Sequence, residues 1–353
     1  MACRINMALI HIEQWPRPVE AGRLRILEAA LDAGVPYPHG CGSGECGTCK
    51  SQLISGDVTL DRYSPEALSE TERASGLILA CRARVSSDVT VRWLSAAQPL
   101  PMVKLTARVF EVQRVAHDVV VLTLSLPPGE ALAFRPGQYA KLRVGKLPAR
   151  SFSMANQPGQ GRLEFHVRLL PQGLVSGFMA TQLKAGDGVE VRGPFGDAFW
   201  DAQEARGDGP LLLLAGGTGL APIVSVLDAA LRDGVPGQRI HLYHGVRGER
   251  DLYAGAQLAA RASEQGFRFV PVYSDETAPP VRSGLLHEAV GQDFSSLAAT
   301  HIHVAGPPSM VDAMKELALR RGANADSVRA DAFFAAQPEK KGLWERITAW
   351  GDL

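Results

Sequence analysis

The sequence predicts a multidomain protein that is α+β at its start, an all-β barrel in its middle and α/β at its end. Three observations carry that reading. A glycine-rich run of three cysteines, Cys41 to Cys49, sits between a short helical stretch and a return strand. The middle third consists of short alternating strands cut by Pro127-Pro128-Gly129, Pro136-Gly137 and Pro158-Gly159, the punctuation of a small barrel. The last third alternates apolar strands with helical stretches, the pattern of a parallel sheet. At 353 residues the chain has room for two or three domains.

The elements follow in order. Ile5–Glu13 alternates as a strand, and Arg25–Ala33 reads as a short helix that Gly34 ends. After the cysteine run the chain returns through Leu77–Cys81 to a strand at Val89–Leu94. Ser95–Pro101, with small residues and two prolines, is a linker. Leu105–Val115 and Val119–Leu126 alternate as barrel strands. Leu211–Leu214 is a continuous apolar strand, followed by Gly216-Gly217-Thr218-Gly219 and a helix at Ala221–Arg232. Ile240–Gly245, Phe269–Tyr273 and Ile302–Ala305 are the further strands.

Composition excludes some functions. Hydrophobic residues make up 46% and charged residues 21%, ordinary for a globular protein. The formal net charge is zero, which argues against nucleic acid or an anionic membrane as partner. No apolar run reaches the length of a membrane span, so the chain is not expected to be transmembrane itself.

The cysteines carry the sharpest chemistry. Cys41-x4-Cys46-x2-Cys49, with Cys81 farther on, is the ligand spacing of a plant-type [2Fe–2S] cluster. Gly40, Gly42, Gly44 and Gly47 let the loop bend and aim N–H groups at sulfur. A disulfide framework needs an oxidising compartment, and no secretory signal precedes the run. Zinc sites usually come as two well-separated pairs. Cys41, Cys46, Cys49 and Cys81 are therefore the expected metal ligands, Cys3 an idle thiol, and the compartment a reducing cytoplasm.

Three further motifs suit a nucleotide or flavin. Arg150-Ser-Phe152-Ser153 is expected at the end of a barrel strand. There a cation can hold phosphate, an aromatic can flank a flavin ring and a hydroxyl can reach a ring nitrogen. A surface ion pair is the plainer reading of that arginine. Gly173-Leu-Val-Ser176 opens a helix, and a helix N-terminus suits a pyrophosphate. Gly216-Gly217-Thr218-Gly219-Leu-Ala-Pro222 joins a buried strand to a helix, where backbone can approach a phosphate. It departs from G-x-G-x-x-G, so it also reads as a tight strand–helix turn. His301 and His303 share one face of a strand, but no third ligand is near, so a metal is not expected there.

Taken together and in this order, these motifs resemble the ferredoxin–NADP reductase superfamily, in the branch that carries a ferredoxin fused at the N-terminus. The likeness is greatest to reductase components of bacterial oxygenases, such as xylene and toluene monooxygenases and benzoate and naphthalene dioxygenases. Arg135-Pro-Gly-Gln-Tyr139, Phe165-His-Val-Arg-Leu169, Gly193-Pro-Phe-Gly196, Arg250-Asp-Leu-Tyr253 and Gly306-Pro-Pro308 share in it, and it reaches about Phe334.

The resemblance implies a plant-type [2Fe–2S] ferredoxin β-grasp domain over residues 1–97. It implies a Greek-key FAD-binding β-barrel over 102–205, an NAD(P)H-binding parallel-sheet α/β domain over 206–337 and a tail over 338–353. It implies that Arg150 and Ser153 hold the flavin, that Phe152 lies against its ring, and that His166 belongs to the cofactor-binding set. Gly173 and Ser176 would hold the FAD pyrophosphate. Gly216, Gly217, Thr218, Gly219, Pro222, Gly306 and Pro307 would take the nicotinamide dinucleotide. Ser153 and Phe334 are the implied catalytic pair, with Phe333 or Phe334 covering the far flavin face. Two positions depart from the family pattern: Phe152 stands where Tyr is usual, and Ala305 where Cys is usual, which implies slower transfer from nicotinamide.

The implied activity is NADH-dependent electron transfer through FAD and the [2Fe–2S] cluster. The implied acceptor is a terminal oxygenase or hydroxylase of aromatic or hydrocarbon substrates, soluble or membrane-bound, or an intermediate ferredoxin. NADPH stays open, because Arg247, Arg250 and Asp251 point both ways. Two alternatives remain: the same relay feeding a non-oxygenase acceptor such as a sugar-deoxygenating enzyme, and a non-catalytic redox sensor or carrier, which Ala305 suggests. In the tail, Leu343, Ile347 and Trp350 recur as a helical stripe with Trp344 adjoining. That stripe is expected to pack on the protein's own surface, to dock on the oxygenase or to cover the flavin face behind Phe334.

Overall fold

The computed structural model describes residues 8–40, 42–45, 47–65, 67–94, 100–277 and 281–334. Cys3, Cys41, Cys46 and the 338–353 tail lie outside the described residues. The described residues form two compact units, one reaching to Pro101 and including Phe195–Asp197, the other comprising Met102–Pro194 and Ala198–Phe334.

The first unit is a five-stranded sheet with a helix across it. Its strands run in the order Val19–Glu20, Leu9–Ile12, Val89–Trp93, Lys50–Ser55, Leu77–Leu79. The Leu9–Ile12 and Val89–Trp93 pair is parallel and its neighbours are antiparallel, the mixed topology of a β-grasp. The helix Ile26–Asp32 buries Ile26, Leu27, Ala29 and Ala30 in the core with Ile10, Val91 and Trp93. It stops where Gly34 takes a left-handed φ of 74°, which costs glycine no Cβ clash.

The second unit holds two sheets. The barrel runs Arg150–Ser153, Tyr139–Arg143, Gly188–Phe195, Val103–Ala116, Val119–Ser125, Arg162–Arg168. A bridge between Met154 and Phe165 joins its two edges, so the sheet closes on itself. Inward residues alternate with outward ones, as in Leu105, Ala107 and Val109, and Phe165, Met154 and Leu122 fill the interior. The sequence expected Arg150–Ser153 at the end of a strand; the four residues are a complete short strand at the barrel seam.

The second sheet is parallel throughout, in the order Arg282–Ser283, Arg268–Tyr273, Ile240–Val246, Leu211–Gly216, His301–Gly306, Val328–Ala332. Leu211–Gly216 is buried at every position, because helices cover both faces of such a sheet. The helix Leu220–Arg232 turns Leu220, Ile223, Val226, Leu227 and Ala230 into one core. Pro308–Arg320 turns Val311, Met314 and Leu317 into the core on the other face. Among the described residues, no helix is long and apolar enough to cross a membrane.

Candidate functional site

In the first unit two of the four expected ligands converge. Cys49 and Cys81 are both buried, and the Cys81 N–H points at Cys49 Sγ across 3.5 Å. Gly42, Gly44 and Gly47 hold left-handed φ angles of 71°, 82° and 76°, the curl by which a loop turns N–H groups inward. A soft sulfur pair beside a tightly curled loop fits an iron–sulfur cluster.

The barrel seam presents the residues expected to face a flavin. Tyr139 pairs with Ser153 and Ala140 with Phe152, so the strand Arg150–Ser153 is held in register by its neighbour. Arg150 is half-buried and spends one N–H on the Ala149 carbonyl at 2.9 Å, which fixes the guanidinium at the strand start. Phe152 is half-buried and Ser153 buried. Ser153 Oγ donates to Asp331 Oδ2 at 3.3 Å, on the last strand of the parallel sheet. A flat aromatic, a buried hydroxyl and a half-buried cation on one strand fit an isoalloxazine and its phosphate.

Gly173 caps the helix Leu174–Thr181, whose first N–H groups have no intrahelical acceptors. The Ser176 hydroxyl accepts from the Leu170 N–H at 3.2 Å and is turned inward, 7% exposed. It braces the loop, and what it can offer a phosphate is its backbone N–H. His166, expected in the cofactor set, lies with Nδ1 2.9 Å from the Tyr253 hydroxyl, so it ties the barrel to the nucleotide sheet. Burial pushes the Tyr253 phenol well up, which keeps that hydroxyl protonated.

The second unit contains a cleft of about 290 Å³ at the C-terminal ends of the parallel strands, where ligands bind in open α/β sheets. Gly216, Gly217, Thr218 and Pro307 line it, with Arg168 and Asp118 from the barrel. The glycine motif divides its work. Gly217 has φ 54° and faces Arg168, leaving backbone open to a phosphate. A Cβ on Gly219 would lie 2.0 Å from the Ala305 carbonyl, so that glycine allows loop and strand to pack. Pro222 is buried on the helix, and Gly306 packs against Gly216. Ala305 is 2% exposed and belongs to the apolar core with Ala215, against which Phe333 packs. Phe334 follows, 43% exposed.

Charge at the cleft is paired. Arg168 Nε donates to Asp118 Oδ2 at 3.0 Å. Arg247 donates to Asp251 Oδ1 at 2.9 Å and lies 3.6 Å from Asp118. Beneath the loop, His244 Nε2 donates to the Gly217 carbonyl at 3.0 Å. Burial lowers the His244 pKa to about 4, so the ring is neutral at ordinary pH. His303 and His301 both face the buried Glu204 carboxylate, at 2.8 and 3.8 Å, and Arg329 Nε lies 3.6 Å from its other oxygen.

Sequence reasoning missed Asp331, Arg168 and His244. Asp331 is the one acidic residue in the run Ala330–Phe334, a faint signal. Arg168 lies inside Phe165–Leu169, a stretch that shares in the family resemblance, but nothing in its spacing assigns it a role.

A curled glycine loop beside two buried thiols, a closed barrel seam and a cleft at the strand ends suit an iron–sulfur flavoprotein oxidoreductase. Residues 11–86 match the family of 2Fe-2S iron-sulfur cluster binding domains, 106–200 the oxidoreductase FAD-binding domain and 213–316 the oxidoreductase NAD-binding domain. The chain is 41% identical, over 88% of its length and 94% of the relative's, to an aromatic O-demethylase reductase subunit of Amycolatopsis sp.. It is 34% identical, over 88% of its length and 93% of the other's, to the ferredoxin–NAD(P)+ reductase component of a Ralstonia naphthalene 1,2-dioxygenase/salicylate 5-hydroxylase system. A solved Amycolatopsis cytochrome P450 reductase superposes with a TM-score of 0.77 at 40% identity, covering 92% of this chain and 98% of that one. The chain belongs to the ferredoxin–NADP reductase superfamily, among the reductase components of oxygenase systems.

Proposed function

We propose that this protein takes electrons from NADH and delivers them singly to a terminal oxygenase that oxidises an aromatic compound. The observation that carries the reading is the meeting of barrel and nucleotide sheet: Ser153 with Asp331, and Arg168 beside Gly217, in the unit that holds the cleft. When bound, FAD and the [2Fe–2S] cluster supply the redox chemistry that converts the nicotinamide's electron pair into single electrons.

In this reading residues 1–97 hold the cluster through Cys41, Cys46, Cys49 and Cys81, 102–205 hold FAD and 206–337 hold NADH. Arg150 clamps a flavin phosphate, Phe152 flanks the ring, and the first turn after Gly173 binds the pyrophosphate. Gly217, Thr218 and Arg168 orient the dinucleotide. Asp331 fixes the Ser153 hydroxyl, and Phe334 shields the outer flavin face from water. Cytosolic reducing conditions keep the cluster thiolates intact. The relatives named as an aromatic O-demethylase reductase subunit and a naphthalene 1,2-dioxygenase reductase component support an aromatic-oxidising acceptor, and those named for propane 2-monooxygenase support a hydrocarbon-oxidising one.

Anaerobic rapid mixing with NADH tests the relay. Flavin absorbance should bleach first and the cluster bands follow, and added oxygenase should then form product in proportion to NADH. Flavin that NADH leaves oxidised, or a cluster that never bleaches, would refute the reading.

A further inference from the structure

The Cys49 carbonyl is a junction of buried hydrogen bonds. Ser51 Oγ donates to it at 3.2 Å, and the Ala80 N–H donates to it at 3.1 Å. Ser51 has a single proton, so the Tyr37 hydroxyl, 2.5 Å away, is the donor to Ser51. The Tyr37 carbonyl in turn accepts from His39 Nδ1 at 2.8 Å. Tyr37 therefore grips both ends of the loop: through its carbonyl it holds the segment entering Cys41, and through its hydroxyl and Ser51 it holds the exit at Cys49.

Every member of this chain is out of solvent. Tyr37 is 2% exposed and Ser51 0%. The ring stands edge-on to Trp93 with centroids 5.3 Å apart, so its direction is fixed. A phenylalanine would fill the same space without a hydroxyl to satisfy. Burying that hydroxyl is unfavourable unless it is bonded, and its bond leads to Cys49. Fixed outer groups of this kind orient metal ligands and tune the metal they hold.

We propose that Tyr37 and Ser51 are positioning residues for the iron–sulfur cluster, holding Cys49 and the loop ends in the geometry that sets the cluster's electronic state and its retention. The proposal rests on Cys49 being a ligand. Its effect is local to the cluster, so FAD content and direct NADH-to-ferricyanide turnover stay unchanged.

The test uses the full-length holoprotein. Tyr37→Phe keeps the ring against Trp93 and removes only the hydroxyl. It should change the g-values of the reduced cluster in electron paramagnetic resonance and the visible circular dichroism of the oxidised one. Iron release to a chelator should quicken about fivefold, the size of one buried hydrogen bond. Ser51→Ala should do the same, and Ser51→Thr, which keeps the hydroxyl, should restore the parent spectra and release rate. Comparing Ser51→Ala with Ser51→Thr reads the same effect should Tyr37→Phe fail to fold. Spectra and iron release identical to the parent in Tyr37→Phe and Ser51→Ala, with only the melting temperature lowered, would overturn the proposal. Cys49→Ser separates the premise: parent spectra in that variant would show that Cys49 is not a ligand.

Discussion

Ser153 Oγ donates its proton to Asp331 Oδ2 across 3.3 Å, joining a strand of the barrel seam to the last strand of the parallel sheet, 178 residues on. Ser153 is 7% exposed and Asp331 half-buried, so the bond is partly shielded from water. With its proton committed to the carboxylate, the hydroxyl turns its lone pairs the other way. The direction of the Ser153 hydroxyl is thus set by the last strand of the parallel sheet.

That link gives the first prediction. Asp331→Ala frees the Ser153 hydroxyl to rotate, and flavin reduction by NADH should slow about tenfold, the size of one hydrogen bond to a charged group. FAD content should not change. Anaerobic stopped-flow measures the rate, and equal rates in parent and variant would deny Asp331 this role.

Arg150→Ala should loosen FAD. Its guanidinium is anchored on the Ala149 carbonyl and keeps further N–H groups for a phosphate. Charge-assisted bonds contribute roughly 1.5–3 kcal/mol, so the FAD dissociation constant should rise about ten- to hundredfold. Flavin content after dialysis checks it; full retention would return Arg150 to the status of a surface cation.

The paired cleft charges predict a preference for NADH. Arg247 is held by Asp251 at 2.9 Å and faces Asp118 at 3.6 Å, so its charge is already matched by two carboxylates, which weakens its pull on a 2′-phosphate. Asp251→Asn weakens that hold and should narrow the NADH-to-NADPH ratio of kcat/KM about fivefold to tenfold. Steady-state rates with both nucleotides decide it, and a ratio that stays put would place the discrimination elsewhere.

Acid sensitivity follows from His244. Burial lowers its folded pKa to about 4, below the ordinary 6.5. The unfolded chain therefore takes up the proton first. The corresponding stability is fully present above pH 6.5 and is lost as pH falls toward about 4, up to about 3 kcal/mol. Urea unfolding at pH 7.5 and pH 5 measures the loss, and His244→Phe should flatten the difference. An unchanged slope in that variant would assign the acid sensitivity to other groups.

The parts legible in the sequence were local. The 2Fe-2S class of the first unit is readable because a plant-type cluster draws its ligands mostly from one short loop, whose cysteine spacing is written directly in the sequence. The strand Leu211–Gly216 and the glycines after it are readable because a strand covered on both faces is continuously apolar and a close turn excludes side chains. The three-part fold class followed from such patterns.

What only the tertiary structure decided is which distant residues meet and which way each side chain turns. Ser176 has the composition of a phosphate ligand, yet its hydroxyl turns inward to the Leu170 N–H. Gly217 and Gly219 sit two apart in one motif, yet one opens on the cleft and the other packs on Ala305. His166 reaches Tyr253, and Ser153 reaches Asp331, across 87 and 178 residues. Periodicity and spacing record what a residue does within its own strand, turn or helix. Pairings made by closing a barrel and stacking it on a sheet leave no period in the sequence, because they depend on the path of the whole chain between the partners.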